Sequence, residues 1–147
     1  MRVVVQRSKT SSVSVEDKLI SIIESGLVLL VGFTEGDTCE DINYMVKKIT
    51  NLRIFDDENG VMNKSIIDAG GSILSVSQFT LYADTKKGNR PSYIKAMKGE
   101  QAKILYDEFN ECLNNFVETK TGIFGADMKV SITNDGPITI ILDSKER

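Results

Sequence analysis

The first third of the chain carries short apolar runs that are separated by polar or glycine breaks. Residues 2–15 alternate loosely and are rich in Val, Ser and Thr, and residues 18–24 and 26–33 form two further apolar runs. Runs of this length between such breaks are typical of strands. We therefore predict that the chain opens with a series of strands.

Two other segments place apolar residues at helical spacing. The first begins after Thr38, a plausible N-cap that forms a weakened capping box with Asp41. Its apolar positions are Ile42, Met45, Val46, Ile49 and Leu52. The second covers about residues 100–118, and its apolar face consists of Ala102, Leu105, Phe109, Cys112, Leu113 and Phe116. Both patterns predict amphipathic helices.

The rest of the chain reads as strands and turns. Residues 53–55 predict a short strand, and the DDENG sequence at 56–60 predicts a turn. Gly70-Gly71 precedes a strand that carries SILSV and SQFTLY, and residues 127–133 and 138–142 form two strands joined by NDGP. About seven strands and two separated helices predict a single α/β sandwich domain over residues 1–147, with both helices on one side of the sheets.

SQFTLY, at residues 77–82, departs from the pattern of the strand that it continues. Ser77, Gln78 and Thr80 stand where a buried strand keeps apolar side chains. We interpret this change as a polar site at the end of the strand.

Composition restricts the class of protein. The chain has 147 residues, of which 41% are hydrophobic and 27% charged, and no apolar run approaches the ~18 residues of a membrane span. The opening MRVVVQRSKT lacks the apolar core and cleavage site of a signal peptide. We expect a soluble cytoplasmic protein with no membrane partner. A net charge of −3 argues against wholesale nucleic-acid coating and leaves a local basic patch open.

The chain contains no histidine, which removes the usual general base at neutral pH and the commonest zinc ligand. Candidate nucleophiles remain, but each lacks an evident base: Ser75, Ser77, Thr80, Cys39 and Cys112. The two cysteines are far apart, and we expect reduced thiols. Asp56, Asp57 and Glu58 resemble a solvated turn more than acid/base machinery. No metal or other cofactor is expected.

Two further segments each have two interpretations. Residues 86–98 hold five cations and no acidic residue: Lys86, Lys87, Arg90, Lys95 and Lys98. The segment suits phosphate contacts, with Tyr93 available for stacking on a base, or it is a solvated surface. The NDGP sequence at 134–137 is either a plain tight turn or a deliberately placed cis prolyl bond.

Four stretches resemble the D-aminoacyl-tRNA deacylases: MRVVVQR, LRIFDDENGVMN, SQFTLYADTKKGNRPSY and TGIFGADMKVSITNDGPITIILDS. The similarity runs from about Met1 to Ser144. SKTSS at residues 8–12 and Tyr93 are not the commonest choices in that family. The resemblance implies a three-layer β/β/α sandwich that forms a homodimer, with two active sites near the interface.

The resemblance also implies a function. The family removes D-amino acids, and glycine wrongly attached to an alanine tRNA, from the terminal adenosine of tRNA. The implied partner is tRNA and not DNA. The pocket is largely main chain, and the 2′-hydroxyl of the substrate ribose assists ester hydrolysis. This explains how such an enzyme works without histidine.

Residue roles are carried over from the family in the same way. The backbone of Phe79 and Thr80 is expected to stabilise the developing oxyanion, while Ser77 and Gln78 shape the pocket. Phe124 and Met128 hold the terminal adenine. Gly136 and Pro137 reach into the partner's pocket and exclude L-amino acids. Lys86, Lys87 and Arg90 contact the tRNA.

Two alternatives stay open at this point. Thr80 can act as a nucleophile that forms an acyl-enzyme. Alternatively, the chain is a tRNA-binding module that uses its basic segment and carries out no chemistry.

Overall fold

The computed structural model describes all 147 residues. Its ten strands are β1 Arg2–Ser8, β2 Ser11–Val15, β3 Lys18–Ile23, β4 Gly26–Gly32, β5 Phe55–Asp56, β6 Met62–Lys64, β7 Ser72–Ser77, β8 Thr119–Thr121, β9 Lys129–Ser131 and β10 Asn134–Asp143. Its α-helices are α1 Cys39–Asn51, α2 Ile66–Ala69 and α3 Gly99–Asn114, and Phe79–Tyr82 forms a 3-10 helix. None of the helices is long and apolar enough to cross a membrane.

The strands form two main sheets. The larger has the order β10-β1-β4-β7-β8, and the smaller has the order β3-β2-β9. Strand β7 runs parallel to both of its neighbours, while β1 is antiparallel to β4 and β10. Strands β5 and β6 form a separate small hairpin.

Alternating side chains of β4 connect the three layers. Leu27 and Leu29 belong to the main core with the helices, whereas Val28 belongs to a second core with Val13 and Ile23 of the smaller sheet. A strand covered on both faces needs this continuous apolar sequence, because successive side chains point to opposite sides. The predicted β/β/α sandwich is confirmed.

Helix α1 begins where the sequence predicts. The Thr38 side chain caps it, and the Asp41 carboxylate accepts the Thr38 N–H at 2.9 Å, so the capping box is complete. The other Asp41 oxygen accepts from Ser144 Oγ at 2.6 Å and from Lys145 Nζ at 2.9 Å. Burial opposes ionisation of Asp41, but these two donors hold the pKa of its carboxyl well below the usual range.

Helix α3 is shorter than predicted. It ends at Asn114, and the chain turns so that the N–H groups of Phe116 and Val117 both donate to the Leu113 carbonyl oxygen. The turn carries Phe116 into solvent and buries Val117, so the assignment of Phe116 to the apolar face is wrong. Leu105 and Cys112 are half-buried against the core, as an apolar face requires.

Three other assignments need correction. The strand carrying SQFTLY ends at Ser77, because the 3-10 helix follows directly. NDGP does not join two strands of one sheet, since β9 pairs with β2 and NDGP forms the first four residues of β10, with a cis Gly136-Pro137 bond. Of the two interpretations of NDGP, the structure has the cis prolyl bond. The short strand predicted at 53–55 is displaced to Phe55–Asp56.

Candidate active site

A cavity of about 560 Å³ opens at the ends of β4 and β7. Strand residues and the start of the 3-10 helix form one side of it: Val31, Gly32, Phe33, Val76, Ser77, Gln78 and Phe79. The other lining residues come from the segments before and within α3, from the segment between β8 and β9, and from Val130 of β9. The cavity therefore lies where the apolar sequence of β7 changes to the polar residues Ser77 and Gln78.

The 3-10 helix leaves two backbone donors free beside this cavity. The Gln78 N–H still donates to the Val31 carbonyl oxygen at 2.7 Å, and the Leu81 N–H donates to the Gln78 carbonyl oxygen at 3.2 Å. Between them, the N–H groups of Phe79 and Thr80 have no acceptor within the chain, and no side chain caps the helix. The first N–H groups of any helical turn lack an internal partner. Two adjacent donors are consequently available to a ligand.

Gly32 lets this turn lie against the end of β4. A Cβ atom at Gly32 would stand 2.9 Å from the Gln78 carbonyl oxygen and 3.2 Å from the Leu81 Cβ atom. Only glycine leaves room for the turn at this distance. Gly32 was not predicted as a site residue, although a glycine that closes an apolar strand is a signal of close backbone approach.

Arg2 fixes the other end of the turn. Its Nη1 donates to the Leu81 carbonyl oxygen at 3.1 Å, and its Nε donates to Asp143 Oδ2 at 2.8 Å. The guanidinium also lies 4.6 Å from the centre of the buried Tyr82 ring. Burial opposes ionisation of Asp143, but the Arg2 hydrogen bond holds the pKa of that carboxyl below its usual range.

The cavity wall contains no carboxylate, amine, guanidinium or thiol. Its only polar side chains are those of Ser77, Gln78 and Tyr93. Thr80 adjoins the cavity, and its Oγ1 has a single partner, the Gln78 side-chain amide at 2.5 Å. An amide is not a base, so nothing near Thr80 can take its hydroxyl proton. Thr80 therefore lacks the activation that a nucleophilic hydroxyl requires.

Of the other candidate nucleophiles, Ser77 lines the cavity beside no evident base, whereas Ser75, Cys39 and Cys112 lie outside it. Ser75 is fully buried under α3, where its carbonyl oxygen accepts from the Tyr106 hydroxyl at 2.8 Å. Cys39 is exposed at the start of α1, and Cys112 is half-buried on α3, where burial raises the pKa of its thiol. The Asp57 carboxylate accepts the N–H groups of Asn59 and Val61, as expected of a turn. No group of three acidic, Cys or His side chains is placed to hold a metal ion.

Phe124 and Met128 line the same cavity as Ser77 and Gln78. The Phe124 ring is half-buried and lies 5.6 Å from the Tyr106 ring, which fixes its position. Gly122 provides the space for Met128, because a Cβ atom at Gly122 would stand 2.5 Å from the Met128 sulfur. The structure thus brings together residues that are almost fifty positions apart in sequence.

The basic segment forms an exposed loop beside the cavity. Two backbone hydrogen bonds between Asp84 and Ser92, of 2.8 and 2.9 Å, close the loop at its base. Lys86, Lys87 and Arg90 are exposed and form no ion pair, whereas Lys95 pairs with Asp84 at 3.2 Å. The first three cations are free to bind an anion.

Gly136 and Pro137, which we call the Gly136-Pro137 corner, are exposed and lie away from the cavity of their own chain. Strand register places Asn134 opposite Ser8, Ser8 opposite Gly26, and Gly26 opposite Ser72. The cavity is at the other end of these strands, since Ser77 lies opposite Val31. Five residues of strand separate the two ends, which is roughly 17 Å. Arg7 Nε anchors this corner through Asp135 Oδ2 at 3.2 Å.

The family model described as D-Tyr-tRNA(Tyr) deacylase matches residues 4–143. The chain belongs to this family. It is therefore a D-aminoacyl-tRNA deacylase, a hydrolase whose substrate is a charged tRNA, and the family predicted from sequence is confirmed. Membership of an enzyme family also decides against the binding module without chemistry.

Two solved structures resemble the deacylase over almost their full length. One, named c-Myc DNA Unwinding Element Binding Protein, is 45% identical with a TM-score of 0.92, and the match covers 97% of this chain and 98% of that one. The other is described as a probable eukaryotic D-amino acid tRNA deacylase. It is 17% identical with a TM-score of 0.82, over 96% and 97% of the two chains, and it supports the fold alone.

Proposed function

We propose that the cavity beside the 3-10 helix hydrolyses the ester of D-aminoacyl-tRNA with backbone donors and the substrate's own ribose. This proposal rests on a cavity wall without a carboxylate, amine, guanidinium or thiol, next to two N–H groups that have no acceptor. An aminoacyl ester is already activated. Orientation and oxyanion stabilisation therefore supply what a side-chain base supplies elsewhere.

The reaction balances without a protein base. Water adds to the ester carbonyl carbon, and the carbonyl oxygen takes negative charge beside the N–H groups of Phe79 and Thr80. The bond from that carbon to the ribose 3′-oxygen then breaks. The neighbouring 2′-hydroxyl relays the water proton to the 3′-oxygen. The products are the free amino acid and a tRNA with its 3′-hydroxyl restored.

Phe124 and Met128 are suited to hold the terminal adenine, since they line the cavity and are fixed by Tyr106 and Gly122. Stacking of a base on an aromatic ring contributes on the order of 1 to 3 kcal/mol. Lys86, Lys87 and Arg90 extend binding to the phosphates of the acceptor end.

Selectivity is assigned to Gly136 and Pro137 of a second copy. Because the corner stands at the far end of its own sheet, it reaches a cavity only from a partner subunit. The outer face of β10 carries Ile141, which is 73% exposed and suits a homodimer contact. A corner in that position collides with an L side chain and admits D-amino acids and glycine, including glycine on alanine tRNA. The enzyme then works in the cytoplasm, where tRNAs are charged.

One set of assays tests this proposal. Purified enzyme is incubated with D-Tyr-tRNA, L-Tyr-tRNA and Gly-tRNA-Ala, and amino-acid release is followed. Release from the first and third substrates alone is expected. Charged tRNA ending in 2′-deoxyadenosine is expected to react roughly 10²- to 10⁴-fold more slowly. An unchanged rate contradicts the ribose-assisted step.

Thr80→Ala separates the proposal from the acyl-enzyme alternative. The variant is expected to keep its rate within about tenfold of the parent, since the backbone N–H remains. Loss of several orders of magnitude, together with a trapped acyl-enzyme in the parent, supports a Thr80 nucleophile. Duplex DNA added as competitor is expected to leave the rate unchanged.

A further inference from the structure

Phe79 and Tyr93 form an exposed aromatic pair at the mouth of the cavity. Their ring centroids are 5.1 Å apart in an edge-to-face arrangement. Phe79 is 58% exposed and Tyr93 is 40% exposed, although both also line the cavity. Ile94, beside Tyr93, is 86% exposed. The pair therefore presents accessible ring surface at the cavity.

The pair stands between two parts of the proposed substrate site. Phe79 carries one of the free N–H groups, and Tyr93 immediately follows the loop that holds Lys86, Lys87 and Arg90. The loop is closed at its base by Asp84 and Ser92, so its cations begin next to the tyrosine. Aromatic rings followed by unpaired cations are the arrangement with which proteins bind single-stranded nucleic acid.

We propose that the Phe79–Tyr93 pair is a second nucleotide site, which stacks the base immediately 5′ to the terminal adenosine. This inference rests on the proposed function. If the ester carbonyl lies at the Phe79 N–H and the adenine at Phe124, the single strand leaves the cavity past the Phe79 ring. Its next base meets the pair, and the phosphates beyond it meet the basic loop.

An alternative occupant is the side chain of the D-amino acid. That side chain carries no phosphate, so it gives no role to the three cations next to the pair. It also varies in size and polarity among D-amino acids, whereas an exposed aromatic face stacks every base. The nucleotide is therefore the occupant that uses all of the observed groups.

Substrates of increasing length test the proposal. D-tyrosine is esterified to adenosine, to the dinucleotide cytidylyl-adenosine and to tRNA, and kcat/KM is measured for each. We expect the second nucleotide to raise kcat/KM by about 5- to 150-fold in the parent enzyme. Tyr93→Ala is expected to bring the dinucleotide-to-adenosine ratio close to one, while Tyr93→Phe, which keeps the ring, keeps the ratio.

The dinucleotide-to-adenosine ratio of kcat/KM is informative because general damage to folding or chemistry lowers kcat/KM for both substrates and cancels in the ratio. A ratio that is unchanged in Tyr93→Ala overturns the proposal. It is also overturned if the loss depends on the amino acid, so that D-Tyr and D-Ala esters of adenosine respond differently. Failure of the proposed function is seen separately, as a parent enzyme that releases no D-amino acid from any of the three substrates.

Discussion

Gly32 shows how a single hydrogen atom in place of a side chain controls the site. Gly32→Ala places a methyl group 2.9 Å from the Gln78 carbonyl oxygen, so the turn that carries the free N–H groups must move. We expect kcat to fall by about 10²-fold, because displacements near 1 Å cost that much. Steady-state kinetics with D-Tyr-tRNA measure the effect.

Gly71→Ala is the matched control, since its added methyl group would stand equally close, 2.9 Å from the Gly26 Cα atom, but outside the cavity. It is expected to change kcat far less than Gly32→Ala. Equal losses in the two variants would assign the effect to general damage to packing and not to the turn.

Asp41 gives a prediction about acid stability. Its pKa is lowered in the folded state, so its contribution is fully present above the unfolded-state value near 3.9 and is lost as pH falls below it. Asp41→Asn is expected to lower the free energy of unfolding at pH 7 by about 1 to 3 kcal/mol. Urea unfolding at pH 7 and pH 3 should give a smaller difference in the variant than in the parent. An equal difference would assign acid sensitivity to another group.

The 3-10 helix depends on a contact with a distant element. Arg2 of β1 donates to the Leu81 carbonyl oxygen and to Asp143 of β10, so it connects the turn to the edge of the large sheet. Arg2→Ala is expected to lower kcat by about 10- to 100-fold with little change in KM, because it loosens the turn without touching substrate. Arg2→Lys is expected to restore part of the rate.

Arg53→Ala provides the comparison, since the Arg53 side chain contacts only exposed Asn63. It is expected to behave like the parent. A rise in KM for Arg2→Ala, at constant kcat, would instead mean that Arg2 acts on binding.

Elements that are determined by residues near them in sequence were predictable, and elements that depend on contacts with distant residues were not. Helix α1 has its cap, its capping box and its apolar spacing within fifteen residues, and its start was predicted correctly. The strand that carries SQFTLY ends at Ser77 because a 3-10 helix follows. Gly32 and Arg2, which position that helix, lie far away in sequence. NDGP looks like a turn locally, but Asn134 pairs with Ser8 of β1 and the next residues form an irregularity within β10, which depends on that distant pairing. Phe116 was misassigned because apolar spacing continues past the residue where α3 ends.

At the scale of the molecule, the loop that holds Lys86, Lys87 and Arg90 is the part of the enzyme that we propose contacts the tRNA phosphates. Replacing Lys86, Lys87 and Arg90 together by Ala is expected to weaken tRNA binding and to reduce the slope of log affinity against log salt by about 2 to 3. Binding measured over a salt series tests both effects. Lys103→Ala on α3, where Lys103 pairs with Asp107, is the control.

The composition of the site was predictable from sequence, but its assembly was not. Ser77, Gln78, Phe124 and Met128 were chosen from motifs, and the structure places all four in one cavity. Tyr93 was noted for stacking, whereas its contact with Phe79 required the folded chain. The missing histidine was informative from the start, because the cavity wall holds no carboxylate or amine that could replace it as a base.

The roles that we propose for the Gly136-Pro137 corner and for the cavity are genetically separable, because the two lie at opposite ends of the strands of one chain. In a mixed dimer, a chain with an impaired cavity still places an intact Gly136-Pro137 corner in the cavity of a partner whose own corner is defective. A Pro137→Ala chain alone is expected to hydrolyse both D-Tyr-tRNA and L-Tyr-tRNA. Refolding it with an excess of Gly32→Ala chains should lower hydrolysis of the L-substrate by about 10²-fold while its own cavities continue to act on the D-substrate. That result would make stereochemical fidelity a property that one subunit confers on the other.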